Sequence, residues 1–294
     1  MKQASPLSTT TVGVIGASSM VGECLLPRLT QAGYSLVAYS RHQVRSPYFE
    51  WRELSTPSTP APAIELWICI APIWVLPEHL NLMAAHGVRR VVALSSTSRF
   101  TKDSSADSKE QAVATRLAHS EIELQNWAES RGIEWVVLRP TLIYGLGRDQ
   151  NITEIARIIS RFGCFPLLGK ANGLRQPIHA ADVAQAALGA LQPSASINRA
   201  YNLSGGETLS YRDMVQRVFA ALGRKPCLFS VPLFVFRIAV FILRLLPRYR
   251  GWSPAMVGRM NKDLVFEHTE ATQCLNFHPR PFFPTAEDVC SQRN

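Results

Sequence analysis

The stretch Thr11 to Gly22 reads TVGVIGASSMVG. A short apolar run (Val12, Val14, Ile15) stops at Gly16, a turn of small residues follows, and Met20-Val21 begins the next apolar segment. The chemistry available here is that of the backbone. Gly16 can take φ > 0 without a Cβ penalty, Gly22 allows helix and strand to approach closely, and the N–H groups from Ser18 to Val21 can point at a diphosphate with the helix dipole behind them. The glycines read as GxxG (Gly13, Gly16) or as GxxSxxG (Gly16, Ser19, Gly22), and either pattern fits the phosphate-binding turn of a dinucleotide-binding fold. A strand–helix turn that binds nothing can carry the same glycines, so the rest of the chain has to decide. The expected phosphate contacts are Gly13, Gly16, Ala17, Ser18, Ser19, Met20 and Val21.

A second site signal lies at the end of the next apolar segment, Ser35 to Tyr39. Folds that bind NAD place an Asp or Glu there to accept hydrogen bonds from the ribose 2′-OH. This chain has Ser40-Arg41-His42, with Arg45 nearby. A guanidinium suits a 2′-phosphate, so NADP(H) is favoured over NAD(H), with Arg41 as its contact. A third signal is the run Ser95-Ser96-Thr97-Ser98, hydroxyls at the end of the apolar run Val88 to Leu94.

The elements that must position these residues alternate. Expected strands are 11–15, 35–39, 65–70, 88–94 and 133–138, and expected helices are 21–32, 77–86 and 109–130, with the Pro/Ser/Thr loop STPSTPAPA at 55–63. Val88 to Leu94 is continuously apolar, as a strand buried on both faces should be. The spacing implies a Rossmann-like, doubly wound parallel sheet over 1–150. Ala71 and Pro72, small residues at a strand end, leave room for the adenosine half of a cofactor. Beyond 150 the alternation becomes irregular: helix 152–162, a short strand and helix within 176–191, a short strand from Tyr201, helix 208–222 with Ser210 as N-cap, a closing strand at 263–266 and a proline-rich clasp at 275–284. The expectation for 151–294 is a smaller, mixed substrate-binding part interleaved with the core.

Composition narrows the function classes. Hydrophobic residues make up 47% of 294, enough for a sizeable core. The six cysteines lie far apart with no metal-type spacing, and MKQASPLSTT has no apolar core, so the expectation is a cytoplasmic protein with reduced thiols and no metal. The net charge is +9, and between Asp213 and Asp263 there are nine Lys and Arg residues and no acid. That interval reads as an anion-binding surface or a solvated basic face. No nucleic-acid-binding motif accompanies it. The apolar segment 231–246 is too short for a membrane span and carries Arg237 and Arg244. It is expected to be an amphipathic helix: a substrate lid, a subunit interface or, less favoured, a membrane-surface contact.

Four segments in order, VIGASSMVG, VVALSSTS, VVLRPTLIYG and QPIHAADVA, resemble the NAD-dependent epimerase/dehydratase family, the extended branch of the short-chain dehydrogenase/reductases. The resemblance implies an N-terminal dinucleotide site and a C-terminal part enclosing a small-molecule substrate, most often a nucleotide-diphosphate sugar. It implies that Ser95, Pro140, Thr141 and Ile143 line the nicotinamide side, and that His179 and Asp182 are structural. The family's chemistry uses a Tyr as acid/base, a Lys four positions later that lowers the phenol's pKa, and a Ser or Thr that polarises the substrate oxygen. Ser96 or Thr97 supplies the last. No tyrosine here has Lys at i+4. Aligned on the glutamates of a family helix read as YxxxKxExE, Glu121 and Glu123 put Thr115 in the Tyr position and His119 in the Lys position. Three explanations follow: a redox enzyme with His119 as acid/base, a dinucleotide-binding protein without chemistry like the family-related accessory subunit of respiratory complex I, or a tyrosine from elsewhere, with Tyr144 the nearest.

Overall fold

The computed structural model describes residues 10–40, 49–54, 63–103, 107–231 and 260–290. Within them the chain order is β1 (Thr11–Ile15), α1 (Met20–Gln31), β2 (Ser35–Ser40), β3 (Glu50–Glu53), β4 (Leu66–Cys69), a 3-10 turn (Ile73–His79), α2 (Leu80–Ala85), β5 (Arg90–Leu94), α3 (Ser98–Thr101), α4 (Ser108–Glu129), β6 (Glu134–Pro140), β7 (Ile143–Tyr144), α5 (Ile152–Phe162), β8 (Phe165–Leu168), β9 (Leu174–Arg175), β10 (Ile178–His179), α6 (Ala180–Gly189), β11 (Arg199–Leu203), β12 (Leu209–Ser210), α7 (Tyr211–Ala221), β13 (Leu228–Val231), α8 (Thr269–Leu275) and α9 (Ala286–Val289).

Seven strands form one parallel sheet in the order β11-β6-β5-β4-β1-β2-β3. The chain starts in the middle, winds outward to β3, then crosses back to β4, so the order reverses between β1 and β4. Crevices form at such a switch point, outside the carboxyl ends of the strands. Both faces of the sheet are covered. Val12, Val14, Val92, Val136 and Leu138 pack against α1 and α6 on one side. Ile15, Trp67, Val91 and Val137 pack with Leu117 and Leu124 of α4 on the other. This two-sided burial explains the unbroken apolar runs: all five residues of β5 are buried. A third apolar cluster joins α5, β8, α7 and α9 around Ile159, Phe165, Val215 and Phe219.

The structure corrects four sequence expectations. Glu50–Glu53 is an additional edge strand, paired to β2, that its polar sequence EWRE concealed. The first half of the expected 77–86 helix belongs to the 3-10 turn, with Pro77 inside it. Asp263–Phe266 is not a strand; it is held instead through Leu264 N donating to Leu174 O and Phe266 N to Gln176 Oε1. The short strand at Tyr201 is β11, the seventh strand of the main sheet, paired with β6 in the register Tyr201↔Leu138. Of the apolar segment 231–246, only Val231 is described, as the last residue of β13; the rest lies outside the described residues.

Candidate active site

The glycine turn is built as its sequence requires. Gly16 has φ +85°, and a Cβ there would lie 2.5 Å from Ala71 N. A Cβ on Gly22 would lie 2.3 Å from Ala17 O, so only glycine lets α1 begin against the turn. Ser19 caps α1, its hydroxyl accepting from Gly22 N at 3.1 Å. Ser18 is exposed, Met20 is half-buried and the Val21 side chain is in the core, so Val21 can offer only its backbone. Gly13 serves packing rather than phosphate binding. It sits inside β1, and its missing Cβ makes room for the Trp67 ring, which would be 2.6 Å away. Arg41 lies outside the described residues. Ser40, just before it, is buried and accepts a hydrogen bond from Trp51 Nε1 at 2.8 Å.

A cleft of about 310 Å3 opens where β4 and β5 end. Ile70 and Pro72 line it from the segment that follows β4, Leu94, Ser95, Ser96 and Ser98 from β5 and its turn, Trp74 from the 3-10 turn, and Val113 and Leu117 from α4. Three of the four hydroxyls at the end of β5, those of Ser95, Ser96 and Thr97, have separate partners. Ser95 Oγ donates to Glu121 Oε1. Thr97 is 5% exposed and its Oγ1 donates to the Pro140 carbonyl at 3.2 Å, so it fastens β5 to β6. Ser96 Oγ accepts from Ser98 N at 3.1 Å, and no acceptor for its own proton is seen among the described residues. Pro140 is buried at the end of β6, and Thr141 is tied down through its N to Leu203 O at 2.8 Å and its hydroxyl to Gln176 O. Ile143 pairs with Ile178 in the β7–β10 ladder.

His119 is not brought to this cleft. Its side chain is 78% exposed and its Nδ1 is 3.6 Å from Glu123 Oε2. The geometry of α4 gives the reason. At about 100° per residue, His119 lies about 200° from Leu117, on the opposite face. Thr115 is likewise exposed. The i, i+4 pair that α4 presents beside Ser96 is Val113 and Leu117, two positions earlier than the glutamate alignment suggests. Tyr144 is not available either. It is 1% exposed, its ring packs edge-on against His179 at 5.1 Å and Phe282 at 4.8 Å, and burial pushes its phenol pKa upward.

Glu121 was in plain view in the sequence, but its role was not. Its side chain is 5% exposed, with Arg99 Nη1 and Arg139 Nη2 (2.6 Å) on Oε2 and Ser95 on Oε1. Two guanidiniums and a hydroxyl satisfy the buried carboxylate and lock the end of β5 to α4 and β6. Phe100 lies under both arginines, 5.5 Å from Arg99 and 5.2 Å from Arg139.

A second residue with no sequence signal is Arg175. It is 3% exposed, and its Nη1 donates to Leu174 O and Lys262 O. Its Nη2 is buried with no hydrogen-bond partner among the described residues. Burial pushes its pKa down. An unpartnered guanidinium nitrogen in the interior costs energy unless an anion supplies the missing acceptor.

His179 and Asp182 act as fasteners. His179 Nδ1 accepts from Ala181 N at 3.0 Å and caps α6, so Nε2 carries the proton toward Asp288 Oδ1, 3.0 Å away. Asp182 accepts from Arg280 N and Nε, both at 3.0 Å.

Comparison with known proteins agrees with this fold. Residues 78–204 match the model of the NAD dependent epimerase/dehydratase family. An uncharacterized protein of Mycobacterium tuberculosis (strain H37Rv) is 27% identical over 222 residues, covering 72% of this chain and 23% of its own length. The chain thus spans about a quarter of that relative and of its Mycobacterium bovis counterpart. A UDP-glucose 4-epimerase of Vibrio cholerae is 23% identical over 124 residues, 42% of this chain and 38% of that one. Among solved structures, a UDP-glucuronic acid 4-epimerase from Bacillus cereus in complex with NAD superposes with a TM-score of 0.70 at 13% identity, covering 95% of this chain and 96% of that one. A UDP-N-acetylglucosamine 4-epimerase from Bacillus cereus gives 0.68 at 14%, covering 96% and 94%.

Proposed function

With residues 78–204 matching the model of the NAD dependent epimerase/dehydratase family, we propose that the protein binds a nicotinamide dinucleotide at the switch point and an anionic, nucleotide-diphosphate-sugar-like molecule beside it, as an oxidoreductase or epimerase. The observation that carries the reading is the Gly16–Gly22 turn, whose two glycines admit no Cβ and whose helix begins at the reversal of strand order. The residues present fit the dinucleotide. The turn offers backbone N–H groups and a helix N-terminus to the diphosphate, and the cleft beyond Ala71 and Pro72 takes the nicotinamide end. When bound, the cofactor supplies the hydride acceptor or donor. Ser96 donates to the oxygen at the reacting centre, and Glu121 holds Ser95 and β5 in place below it. The absence of an acid at Ser40-Arg41 supports NADP(H) over NAD(H), with Arg41 on the 2′-phosphate. Arg175 is assigned to the substrate's diphosphate because its buried Nη2 lacks an acceptor among the described residues. The part beyond residue 150 is assigned to the substrate.

One observation favours a second reading, binding without proton chemistry. Val113 and Leu117 stand where an acid/base pair would have to face Ser96, and neither can carry a proton. The two readings share the cofactor site and part at turnover.

Fluorescence titration with NADPH and NADH tests the cofactor. The expected result is binding of both, NADPH more tightly, with Arg41→Ala reducing the preference. Calorimetric titration with UDP and UDP-glucose tests the substrate class. Arg175→Ala should weaken UDP by about tenfold or more, the worth of a charge-assisted hydrogen bond. A wild-type protein that binds neither dinucleotide overturns both readings.

A further inference from the structure

Arg148 reaches from the loop after β7 back to the start of α1. Its Nη1 donates to Glu23 Oε2 at 2.7 Å and its Nη2 to the Ser18 carbonyl at 2.9 Å. Ser18 belongs to the phosphate-binding turn and Glu23 to the first turn of α1. A residue 130 positions away in sequence therefore sits over the very terminus that is shaped for a diphosphate.

The pair contributes little to stability. The Arg148 and Glu23 side chains are 47% and 60% exposed, and ion pairs of that kind are worth about 0–1 kcal/mol. The loop that carries Arg148 is anchored more firmly than its tip. Gly147 N donates to Asp288 O at 3.0 Å, and Asp149 Oδ1 accepts from Asn151 N at 2.8 Å. The base of the side chain is fixed while the guanidinium lies at the surface, beside α1's positive end. Glu23 supplies negative charge at that end. A diphosphate arriving at the turn brings more charge to the same place and competes for the same donor.

We propose that Arg148 is a clamp for the dinucleotide's diphosphate and that Glu23 is its internal competitor, a proposal that rests on the dinucleotide reading above. Without cofactor, Glu23 holds the guanidinium over the turn. With cofactor, Nη1 leaves the Glu23 carboxylate for a phosphate oxygen, while Nη2 keeps the Ser18 carbonyl as a pivot. The exchange is of ion pairs only. It makes the clamp indifferent to the 2′ position, since NADH and NADPH share the diphosphate.

The two partners should therefore respond to substitution with opposite signs. In fluorescence titrations at fixed ionic strength, Arg148→Ala is expected to weaken NADH and NADPH alike by about tenfold, the loss of one charge-assisted contact. Glu23→Gln is expected to tighten both several-fold, and the double variant to bind like Arg148→Ala. UDP titrated against the same proteins should be unaffected by Arg148→Ala. Thermal melts of each variant establish that the protein remains folded. If Glu23→Gln weakens the cofactor as Arg148→Ala does, the pair merely shapes the turn and the clamp is overturned. Unchanged cofactor affinity in Arg148→Ala also overturns it, as does a loss confined to UDP, which would move Arg148 to the substrate's diphosphate. A wild type that binds no dinucleotide removes the underlying reading and the clamp together, a result distinct from the other three.

Discussion

At the scale of single residues, the site is defined as much by what faces the cleft as by what is missing from it. Val113 and Leu117 occupy the i, i+4 positions opposite Ser96. Replacing them with Tyr and Lys should create an acid/base where none exists, because a phenol next to an ammonium has its pKa lowered toward neutrality. The expected outcome for Val113→Tyr/Leu117→Lys is faster reduction of bound NAD by UDP-glucose, by the ~100-fold or more that general acid/base catalysis contributes. Stopped-flow absorbance on protein that still binds NADH measures it; no gain over wild type would mean that α4 does not present the new pair productively to Ser96. The register of α4 was open to reading from the sequence, through a different pattern from the glutamates. Leu117, Glu121, Leu124 and Ala128 are buried at spacings of four, three and four, the signature of one helical face. That stripe points Thr115 and His119 to water. By contrast, the Gly16–Gly22 turn was legible because its chemistry belongs to the backbone, and the glycine spacing encodes the backbone directly. Glu121 and Arg175 were not, since their burial comes from partners far away in sequence: Arg99 and Arg139 for one, Lys262 O for the other.

At the scale of elements, the C-terminal segment is attached by charge. Thr285 forms a capping box with Asp288 at the start of α9, and Asp288 also accepts from His179 at the start of α6. Burial alone would raise the Asp288 pKa, but hydrogen bonds from His179 and from the Thr285 backbone and hydroxyl outweigh it and hold the carboxyl at about 2. The folded value lies below the ordinary 3.8, so the ionised form favours the folded state. This contribution is complete above pH about 5, where even the unfolded carboxyl is ionised, and it is lost as the pH falls through about 2. With solvent screening allowed for, its size is on the order of 1 kcal/mol. Urea unfolding should therefore show wild type losing stability between pH 5 and pH 2, with Asp288→Asn less stable at pH 7 and flatter across the acid range. Equal acid sensitivity in the two proteins would remove Asp288 as the source. These fasteners escaped the sequence reading for the same reason as β3 did. A four-residue polar edge strand and a single-turn helix carry too little apolar periodicity to announce themselves, and both are stabilised by what they pair with.

At the scale of the molecule, strand alternation over the first 150 residues foretold a parallel sheet, yet the sheet is completed from beyond that point. β11 pairs with β6 over five residues, from Arg199↔Val136 to Leu203↔Pro140, and α6 packs with α1 on the same face. Cutting the chain at 150 would leave Val136 and Leu138 on an unpaired parallel edge without their helical cover. A fragment ending there is expected to aggregate, whereas one ending after 205 should keep a larger soluble fraction, as sedimentation after expression would show. The same arrangement governs the order in which the protein can be made. A ribosome that has released residue 150 has produced six of the seven sheet strands, but their outer edge stays open until residue 203 has emerged. The nascent chain thus passes through an interval of exposed apolar edge that no rearrangement of its own first half can close, the interval in which a chaperone has most to bind and a pause in translation would cost most.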